Sequence, residues 1–424
     1  MTLPPAPTRP PLQHAVTGVL LFLLMLPVTA MVPVLSALTV ERHPGIGDFA
    51  RHLFMSVNML GALLAAPLAG WLSDRSGQRV ALIIAALTLN ALCLFLLGLP
   101  QSYPATLLLR FIEGCAHVGA LSLLMTLAAD HTRSEGLGAT MGGVGAAISL
   151  GVAAGAPLGG WIGAHDATLV PTLGAALIAA LTVAAALLLR DAGRPAARER
   201  RSPLAALAMR RALAMPYAFA FIDRFTVGFI VSTVSLYFAG VLHLGPARIG
   251  LAMAAFLLPF ALLTWPAGVL CRRIDSLTLM LAGSALYGLF LIALPWAREA
   301  SLLPVMAIGG SVAALMYAPS LVLTARLAPP DARALSVAGF NVAGSAGFAL
   351  GPLVAGALLA LLRAIGVDSH VPVFVFFGLC EIVLVLALLP HWWHARRHTT
   401  SNSLKLSACH ADVRCTPSPS RNTP

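Results

Sequence analysis

Charged residues are scarce in this chain of 424 residues. Asp, Glu, Lys and Arg make up 10% of it, whereas about 25% is usual in a soluble domain. At the same time, 58% of the residues are hydrophobic. So few charges cannot solvate the surface of a soluble protein of this length, which excludes a cytosolic enzyme and a disordered chain. Most of the protein is therefore expected to lie in a lipid bilayer.

Cysteine-based and metal-based chemistry has little support. The six cysteines are scattered through apolar runs, one short turn and the polar C-terminal segment, so they predict no disulfide framework. Cys409, His410 and Cys415 form only a weak zinc pattern, and we predict no metal site. The sequence also lacks the G-x-x-x-x-G-K-[ST] loop of an ATPase. We therefore expect no cofactor.

The formal net charge of +11 does not indicate a nucleic-acid partner. The basic residues stand in short turns between apolar runs, and they form no stripe interleaved with aromatic residues as single-strand binders require. The expected partner is instead the lipid bilayer. The chain is expected to act as a monomer.

Long apolar runs dominate the sequence. A spanning helix needs about 20 apolar residues. Twelve runs meet this requirement, which predicts an all-α integral membrane protein. The predicted spans are 14–37, 52–72, 80–99, 104–129, 139–163, 168–189, 215–240, 247–270, 277–295, 302–325, 334–362 and 371–390. The first run is too long for a cleaved signal peptide.

The positions of the basic residues predict the orientation. With both termini in the cytoplasm, 20 of the 27 Lys and Arg residues face inward, five face outward and two lie within spans. Cytoplasmic loops carry such an excess of basic residues. We therefore predict a multi-pass protein of the cell inner membrane with both termini cytoplasmic.

Two pairs of segments indicate that the chain is a duplicated six-helix unit. GWLSDRSGQRVAL (Gly70–Leu82) corresponds to GVLCRRIDSLTLM (Gly268–Met280) at an offset of 198, and GVAAGAPLGG (Gly151–Gly160) corresponds to GFALGPLVAG (Gly347–Gly356) at an offset of 196. Two pseudo-symmetric six-helix bundles follow. The predicted parts are an N-terminal cytoplasmic segment (1–13), a first bundle (14–189), a basic cytoplasmic linker (190–214), a second bundle (215–390) and a disordered cytoplasmic tail (391–424).

The first of these segments resembles the signature of the major facilitator superfamily, G-x-L-[SA]-D-R-x-G-x-R. The matching residues are Gly70, Leu72, Ser73, Asp74, Arg75, Gly77 and Arg79. The resemblance implies two bundles that alternate access to a central cavity. We expect Gly70 and Gly77 to permit a tight turn. Asp74 is expected to face the N-terminal, positive end of a neighbouring helix, and Arg75 and Arg79 are expected to reach a carboxylate such as Asp130. Together they would form a cytoplasmic gating latch that holds the two bundles together in one state. An alternative is that this loop serves only topology and turn formation.

The fifth span resembles the drug:proton antiporter signature G-x-x-x-G-P-x-x-G-G, with its proline one place late. Its glycines recur at four-residue spacing, which places them on one helix face and lets backbones approach closely. We expect this segment and its second-half copy to form a packing seam or a hinge between bundles, and the sequence leaves a static and a moving seam equally open. The residues are Gly151, Gly155, Pro157, Gly159, Gly160, Gly347, Gly351, Pro352 and Gly356.

Five charged residues fall inside predicted spans. They are Arg110, Glu113, Asp223, Arg224 and Glu381. A charge near the bilayer midplane costs about 3 kcal/mol, so these residues must pair, line a wet cavity or be protonated. Asn58, Asn90 and Asn341 add hydrogen-bonding capacity within spans, and the spacing does not say which of them point inward.

Arg110, Glu113 and His117 share one face of the fourth helix, because they are spaced i, i+3 and i+7. The fourth span resembles the family motif R-x-x-Q-G, with Glu113 where glutamine is usual. In the family, the first, fourth, seventh and tenth helices line the cavity. We therefore expect Glu113 to exchange protons, with Asp223 as the second candidate and Arg224 compensating it. The alternative is that both pairs are fixed braces. His117 is expected to be a packed side chain, with a proton relay as its alternative.

Glu381 lies on the twelfth helix, which is peripheral in this family. A structural, hydrogen-bonded acid is therefore favoured over a proton carrier.

The sequence thus predicts a secondary transporter of the drug:proton antiporter group. It is expected to export a small, partly apolar organic molecule in exchange for protons. Proton-coupled uptake of a metabolite such as a sugar or an organic acid is the main alternative. A membrane-embedded enzyme or a non-transporting receptor is a remote alternative, because the external loops carry no catalytic constellation.

Overall fold

The computed structural model describes residues 10–132, 137–191, 203–328 and 333–412. Within these ranges the regular structure is helical, without a strand. Twelve helices are long and apolar enough to cross a membrane. The prediction of an all-α membrane protein with twelve spans is therefore confirmed.

The helices follow the predicted spans closely. The first six are α1 (Pro10–Ala30), α2 (Asp48–Ser76), α3 (Arg79–Gly98), α4 (Tyr103–Asp130), α5 (Leu137–Gly163) and α6 (Leu169–Leu188). Helix α7 comprises Pro203–Phe229, a π-helical turn over Ile230–Val234 and a continuation over Ser235–Gly240. The last five are α8 (Pro246–Leu270), α9 (Ser276–Ala293), α10 (Leu302–Leu327), α11 (Arg333–Ala364) and α12 (Val371–Asp412).

Two segments outside the predicted bundles are more helical than expected. Residues 203–214, assigned to the linker, belong to α7, and residues 192–202 lie outside the described part of the chain. Helix α12 continues to Asp412, which corrects the prediction of disorder from residue 391. The sequence from 391 to 412 loses its apolar character but contains neither glycine nor proline, so nothing in it breaks a helix. Residues 413–424 lie outside the described residues.

The turn between α2 and α3 is shorter than the sequence suggested. Helix α2 continues to Ser76, so only Gly77 and Gln78 separate the two helices. Gly77 has a φ of 67° and donates its N–H to the Ser73 carbonyl oxygen at 2.9 Å. A left-handed glycine of this kind is a common helix end. Gly70 lies inside α2 and does not form the turn.

The packing of the helices repeats between the two halves. Helix α1 packs on α5, α2 on α4, and α3 on both α4 and α6. In the second half α7 packs on α11, α8 on α10, and α9 on both α10 and α12. Each contact of the first half thus recurs between helices six places later. The halves meet through two crossings, α2 with α11 and α5 with α8.

The predicted glycine seam serves mainly to pack helices within each bundle. Added Cβ atoms at Gly151 and Gly159 would collide with the α1 backbone, and those at Gly347 and Gly351 would collide with the α7 backbone. One glycine near the end of each seam makes a contact between bundles. An added Cβ at Gly160 would lie 3.0 Å from the Gly250 Cα atom of α8.

The equivalent contact in the second half joins Gly356 of α11 to His52 of α2, where an added Cβ would lie 2.9 Å from the His52 Cβ atom. Both between-bundle contacts are therefore built on the last glycine of a seam, at corresponding positions of the repeat.

The glycine contacts between the bundles lie toward one end of the helices. We call the end with the turns at Gly77 and Cys271 the basic end. The contacts of Gly160 and Gly356 lie near the opposite end. Toward the basic end, by contrast, Gly142 of α5 has no neighbouring helix within 4 Å of an added Cβ. The contacts between the bundles that these glycines make therefore lie away from the basic end.

Candidate functional site

Arg110 and Glu113 of α4 form a fully buried ion pair. Arg110 Nη1 lies 2.7 Å from Glu113 Oε2, and both side chains are inaccessible to solvent. Asn58 of α2 donates its side-chain amide to the same Glu113 oxygen and also to the Arg110 carbonyl oxygen at 3.3 Å. The predicted pair is thus present. It faces α2 inside the first bundle and is shielded from solvent.

The surroundings of Arg110 hold its guanidinium in place. Its Nε donates to the Phe54 carbonyl oxygen at 3.3 Å, and its charge lies 4.7 Å from the centre of the Phe54 ring. The sulfur atoms of Met31 and Met55 lie 3.7 and 3.8 Å from its terminal nitrogens. Soft and polarisable neighbours reduce the cost of burying a cation.

Glu113 retains one free oxygen. Its Oε1 atom is buried and has no hydrogen-bond partner among the described residues. A buried, unpaired carboxylate oxygen is costly. A proton bound to Oε1 would remove this cost and the negative charge while leaving Oε2 in contact with Arg110 and Asn58.

His117 does not continue the Arg110–Glu113 pair. Its side chain is buried, and its Nδ1 lies 3.4 Å from the Asn90 amide of α3. Among the three asparagines in the spans, Asn58 contacts the ion pair, Asn90 contacts His117 and Asn341 is exposed. These contacts favour a packed His117 over a proton relay.

Asp223 and Arg224 of α7 form a loose pair. Arg224 Nε lies 3.7 Å from Asp223 Oδ2, which is too long for a hydrogen bond. The Asp223 side chain is 2% exposed and that of Arg224 is 27% exposed. The Arg224 guanidinium lies 4.4 Å from the centre of the Tyr317 ring on α10. The two neighbouring charges therefore occupy different surroundings.

Glu381 of α12 joins three helices of the second bundle. Thr226 of α7 lies 2.9 Å from its Oε1 atom, and Ser284 of α9 lies 2.5 Å from its Oε2 atom. The Glu381 side chain is fully buried. Glu381 has no ion-pair partner in the described chain. The Tyr287 hydroxyl of α9 is also buried and lacks a hydrogen-bond partner of good geometry there.

The burial of Glu381 favours a neutral acid. A threonine hydroxyl has one hydrogen to donate. The Thr226 hydroxyl oxygen lies 2.9 Å from the Asp223 carbonyl oxygen and 2.9 Å from Glu381 Oε1. When Thr226 donates to the carbonyl it must accept from Glu381, which requires a proton on the acid. A buried carboxyl group without a counter-ion favours the same form.

The contact expected of the gating loop is made by one of its two arginines. Arg79 Nε lies 2.6 Å from Asp130 Oδ2, and Arg79 Nη1 donates to the Ser73 hydroxyl at 3.0 Å. Arg75 instead lies over the Trp71 ring, 5.5 Å from its centroid. The Asp74 side chain lies outside the described side chains.

A further ion pair, not predicted from the sequence, connects the bundles at the end opposite to the basic end. Arg363 Nη1 at the end of α11 lies 2.6 Å from Asp48 Oδ2 and 2.8 Å from Asp48 Oδ1 at the start of α2. Nearby, the Ser235 hydroxyl of α7 donates to the Val32 carbonyl oxygen at 2.7 Å. Burial and the Arg363 charge lower the pKa of neighbouring His370 from its ordinary value. We call the Asp48–Arg363 pair the outer latch.

The arrangement as a whole has two six-helix bundles with buried charged residues in each. Residues 17–237 and 216–415 each match the family model described as Major Facilitator Superfamily. The chain belongs to the major facilitator superfamily. The superfamily prediction is confirmed, whereas the drug:proton antiporter subgroup stays a prediction. None of the curated proteins compared with the chain matches it in sequence.

Solved structures of transporters in this superfamily share the fold. A mutant of the nucleoside transporter NupG has a TM-score of 0.74 at 16% identity, over 90% of this chain and 99% of that one. A bacterial homologue of the human lysosomal transporter Spinster, in an inward-facing and unoccupied conformation, has a TM-score of 0.72 at 14% identity, over 89% and 95%.

A transporter of the POT family in complex with 5-aminolevulinic acid has a TM-score of 0.67 at 13% identity, over 89% of this chain and 95% of that one. The protein is thus a multi-pass membrane transporter of a small molecule and not an enzyme.

The sequence identified the buried charged residues but not the residues that contact them. Thr226 lies one helical turn after Asp223, a spacing that could have suggested their shared environment. Ser284 and Tyr287 lie on one face of α9 but resemble ordinary span residues. Asp48 and Arg363 stand at predicted span ends, where charges are common, so nothing in the sequence marks them as partners.

Proposed function

We propose that the protein is a proton-coupled antiporter that exports a small organic molecule across the cell inner membrane. The basic end is the cytoplasmic end in this proposal, because 20 of the 27 basic residues are assigned to that side. Both termini are then cytoplasmic, and the described conformation is inward-facing with its outer side closed. Export as opposed to uptake is supported by the antiporter-like glycine segment of α5.

The Arg110–Glu113 pair with Asn58 is the observation that carries the proton-coupling proposal. It is buried between α4 and α2, and its free Oε1 atom is a position at which a proton neutralises the acid. The pair is formed at 2.7 Å through Oε2, and we assign the inward-facing state to the step in which Glu113 gives up its proton to the cytoplasm.

The proposed cycle follows from this geometry. A proton taken up from outside neutralises Glu113, weakens its attraction to Arg110 and favours rotation to the inward-facing state. Release of the proton inside restores the ion pair while substrate binds in the cavity. Substrate then leaves on the outside after the outer latch opens. Arg79 and Asp130 stabilise the turn between α2 and α3 during these movements, as the family resemblance implies.

Glu113→Gln tests the coupling. Purified protein in proteoliposomes should lose transport driven by a pH gradient, because glutamine carries no exchangeable proton, but should keep gradient-independent counterflow of substrate. Glu41→Gln is a matched control, since Glu41 is an exposed acid outside the spans. A normal dependence of transport on the pH gradient in Glu113→Gln would refute the proposed role.

Membrane vesicles of both orientations test the direction. Everted vesicles prepared from cells that express the protein should accumulate at least one compound from a panel of labelled aromatic anions, cations and neutral compounds. The accumulation should collapse when nigericin dissipates the pH gradient. Proton-driven accumulation in right-side-out vesicles alone would overturn export and favour uptake.

A further inference from the structure

Arg224 occupies a position where a cation must face water. It is the twelfth residue of the 28-residue span Leu213–Gly240, so it lies near the middle of the membrane. Its side chain is 27% exposed. An arginine exposed to lipid at this depth costs about 3 kcal/mol or more, so the exposed part of Arg224 lies in the cavity between the bundles.

The direction of the Arg224 side chain supports this placement. An added Cβ at Gly344 of α11 would lie 3.0 Å from the Arg224 Cγ atom, and the guanidinium rests on Tyr317 of α10. Asp223, the preceding residue, is rotated about 100° around the helix and is almost fully buried. Arg224 therefore points to α10 and α11, and Asp223 does not share its exposure.

The guanidinium of Arg224 has hydrogen-bonding capacity to spare. Arginine has five N–H groups, and the partners of Arg224 among the described residues are Asp223, at 3.7 Å from Nε, and the Tyr317 side chain. Arg110 differs, because its nitrogens are engaged by Glu113, by a backbone carbonyl and by two sulfur atoms. Of Arg110 and Arg224, Arg224 is therefore the one available to a ligand.

Aromatic rings extend from Arg224 across the cavity wall. The Tyr317 ring lies 5.7 Å from the Phe260 ring of α8 and 6.1 Å from the Phe340 ring of α11, measured between centroids. Phe260 and Tyr317 are half-buried, so both present ring surface outside the packed core. A flat apolar group attached to an anion could stack on these rings while the anion contacts the guanidinium.

We propose that Arg224, Tyr317 and Phe260 form a binding site for an aromatic anion, with a carboxylate or sulfonate on Arg224 and the ring of the ligand against Tyr317 and Phe260. The planar guanidinium fork matches two oxygens of such a group, and the ring wall selects for an aromatic body. The inference deepens the proposed function by naming a substrate class. It needs neither proton coupling nor export.

Binding measurements on purified protein in nanodiscs test the site without any gradient. Isothermal titration should detect 2-naphthalenesulfonate, with at least tenfold weaker binding of the neutral 2-naphthalenesulfonamide, because loss of a charged hydrogen-bonded contact is worth about ten- to hundredfold in affinity. This comparison uses the wild-type chain and is independent of the folding of any variant. Equal affinity for the two ligands, or no binding of the sulfonate, would overturn the proposal.

Variants then assign the site to these residues. Arg224→Gln should weaken sulfonate binding at least tenfold, and Arg224→Lys should weaken it less. Tyr317→Leu should weaken binding, whereas Tyr317→Phe should preserve it because the ring remains. Arg273→Gln is the control for net charge, since Arg273 is exposed in the turn after α8. Unchanged sulfonate affinity in a folded Arg224→Gln protein would place the ligand elsewhere and overturn the proposal. A vesicle experiment that showed uptake instead of export would refute the proposed direction of transport but would not affect these binding results.

Discussion

The outer latch makes a prediction about the balance between the two conformations of the transporter. Asp48→Asn removes the charge that Arg363 contacts across the bundle interface at 2.6 and 2.8 Å. The latch exists only while the outer side is closed. Its loss should therefore destabilise the inward-facing state and raise the population of the outward-facing state.

The exposure of the two residues decides the magnitude. The Asp48 side chain is 7% exposed and that of Arg363 is 41% exposed. A charged hydrogen bond is worth about 1.5–3 kcal/mol when shielded, and an exposed ion pair is worth about 0.2–1 kcal/mol. Because one partner is well hydrated, we expect about 1 kcal/mol. This corresponds to about a fivefold increase in the ratio of outward-facing to inward-facing protein.

Electron–electron double resonance between spin labels can measure this ratio. Exposed positions at the outer ends of the bundles, Ala164 and Ala300, accept cysteines for labelling, in a chain whose own cysteines are replaced by serine. The fraction of long distances should rise in Asp48→Asn. Arg51→Gln is the matched control, since Arg51 contacts Asp48 from the same helix at 3.4 Å. An unchanged distance distribution in Asp48→Asn, or an equal change in the control, would refute the latch.

Three other substitutions give further tests. Gly114→Ala should lower the thermal unfolding temperature, because the added Cβ would collide with the Asn58 backbone. Gly119→Ala is the control and should be tolerated, because the nearest atom to its added Cβ is 3.9 Å away. Equal unfolding temperatures of the two variants would contradict the close packing at Gly114. Glu381→Gln should keep most of the stability, whereas Glu381→Leu should lose about 1–3 kcal/mol because the buried Ser284 and Thr226 hydroxyls each lose the carboxyl group as a hydrogen-bond partner. Similar stabilities of the two variants would contradict the hydrogen-bonding role. Burial and the Arg363 charge lower the pKa of His370 while the outer latch is closed. Acidification below pH 6.5 should therefore favour opening of the outer side, where His370 binds a proton more readily. His370→Gln should remove this part of the pH response in distance measurements, and an unchanged response would contradict the role of His370.

The sequence was most informative where a property repeats along a helix. Apolar length predicted twelve spans, and the seam glycines, spaced mostly at four residues, correctly predicted close helix contacts at Gly151 and Gly347. The partner of each seam was less accessible. Four-residue spacing defines the face of a helix but not the helix that this face meets. The seam contacts that were expected between the bundles therefore lie mainly within each bundle, and among the seam glycines Gly160 and Gly356 contact the other bundle.

The site shows the same limit. Arg110 and Glu113 were predicted as a pair because three residues along a helix bring side chains together. The direction in which these two side chains point depends on the rotation of α4 about its axis. The sequence does not give this rotation, and the structure shows it through the contact between Glu113 and Asn58 of α2. Asp223 and Arg224 are adjacent and were expected to compensate each other, yet a 100° step separates their surroundings. Contacts between residues as distant in sequence as Asp48 and Arg363 leave no periodic signal.

The meeting of Gly160 and Gly250 has a consequence for the motion itself. Two helices from different bundles touch there through main-chain atoms, with no side chain between them. Rocking about such a point requires no rotamer to change and no interlocked surface to separate. The crossing can therefore act as a pivot with little steric resistance, and a single methyl group added at either glycine would push the two helices apart.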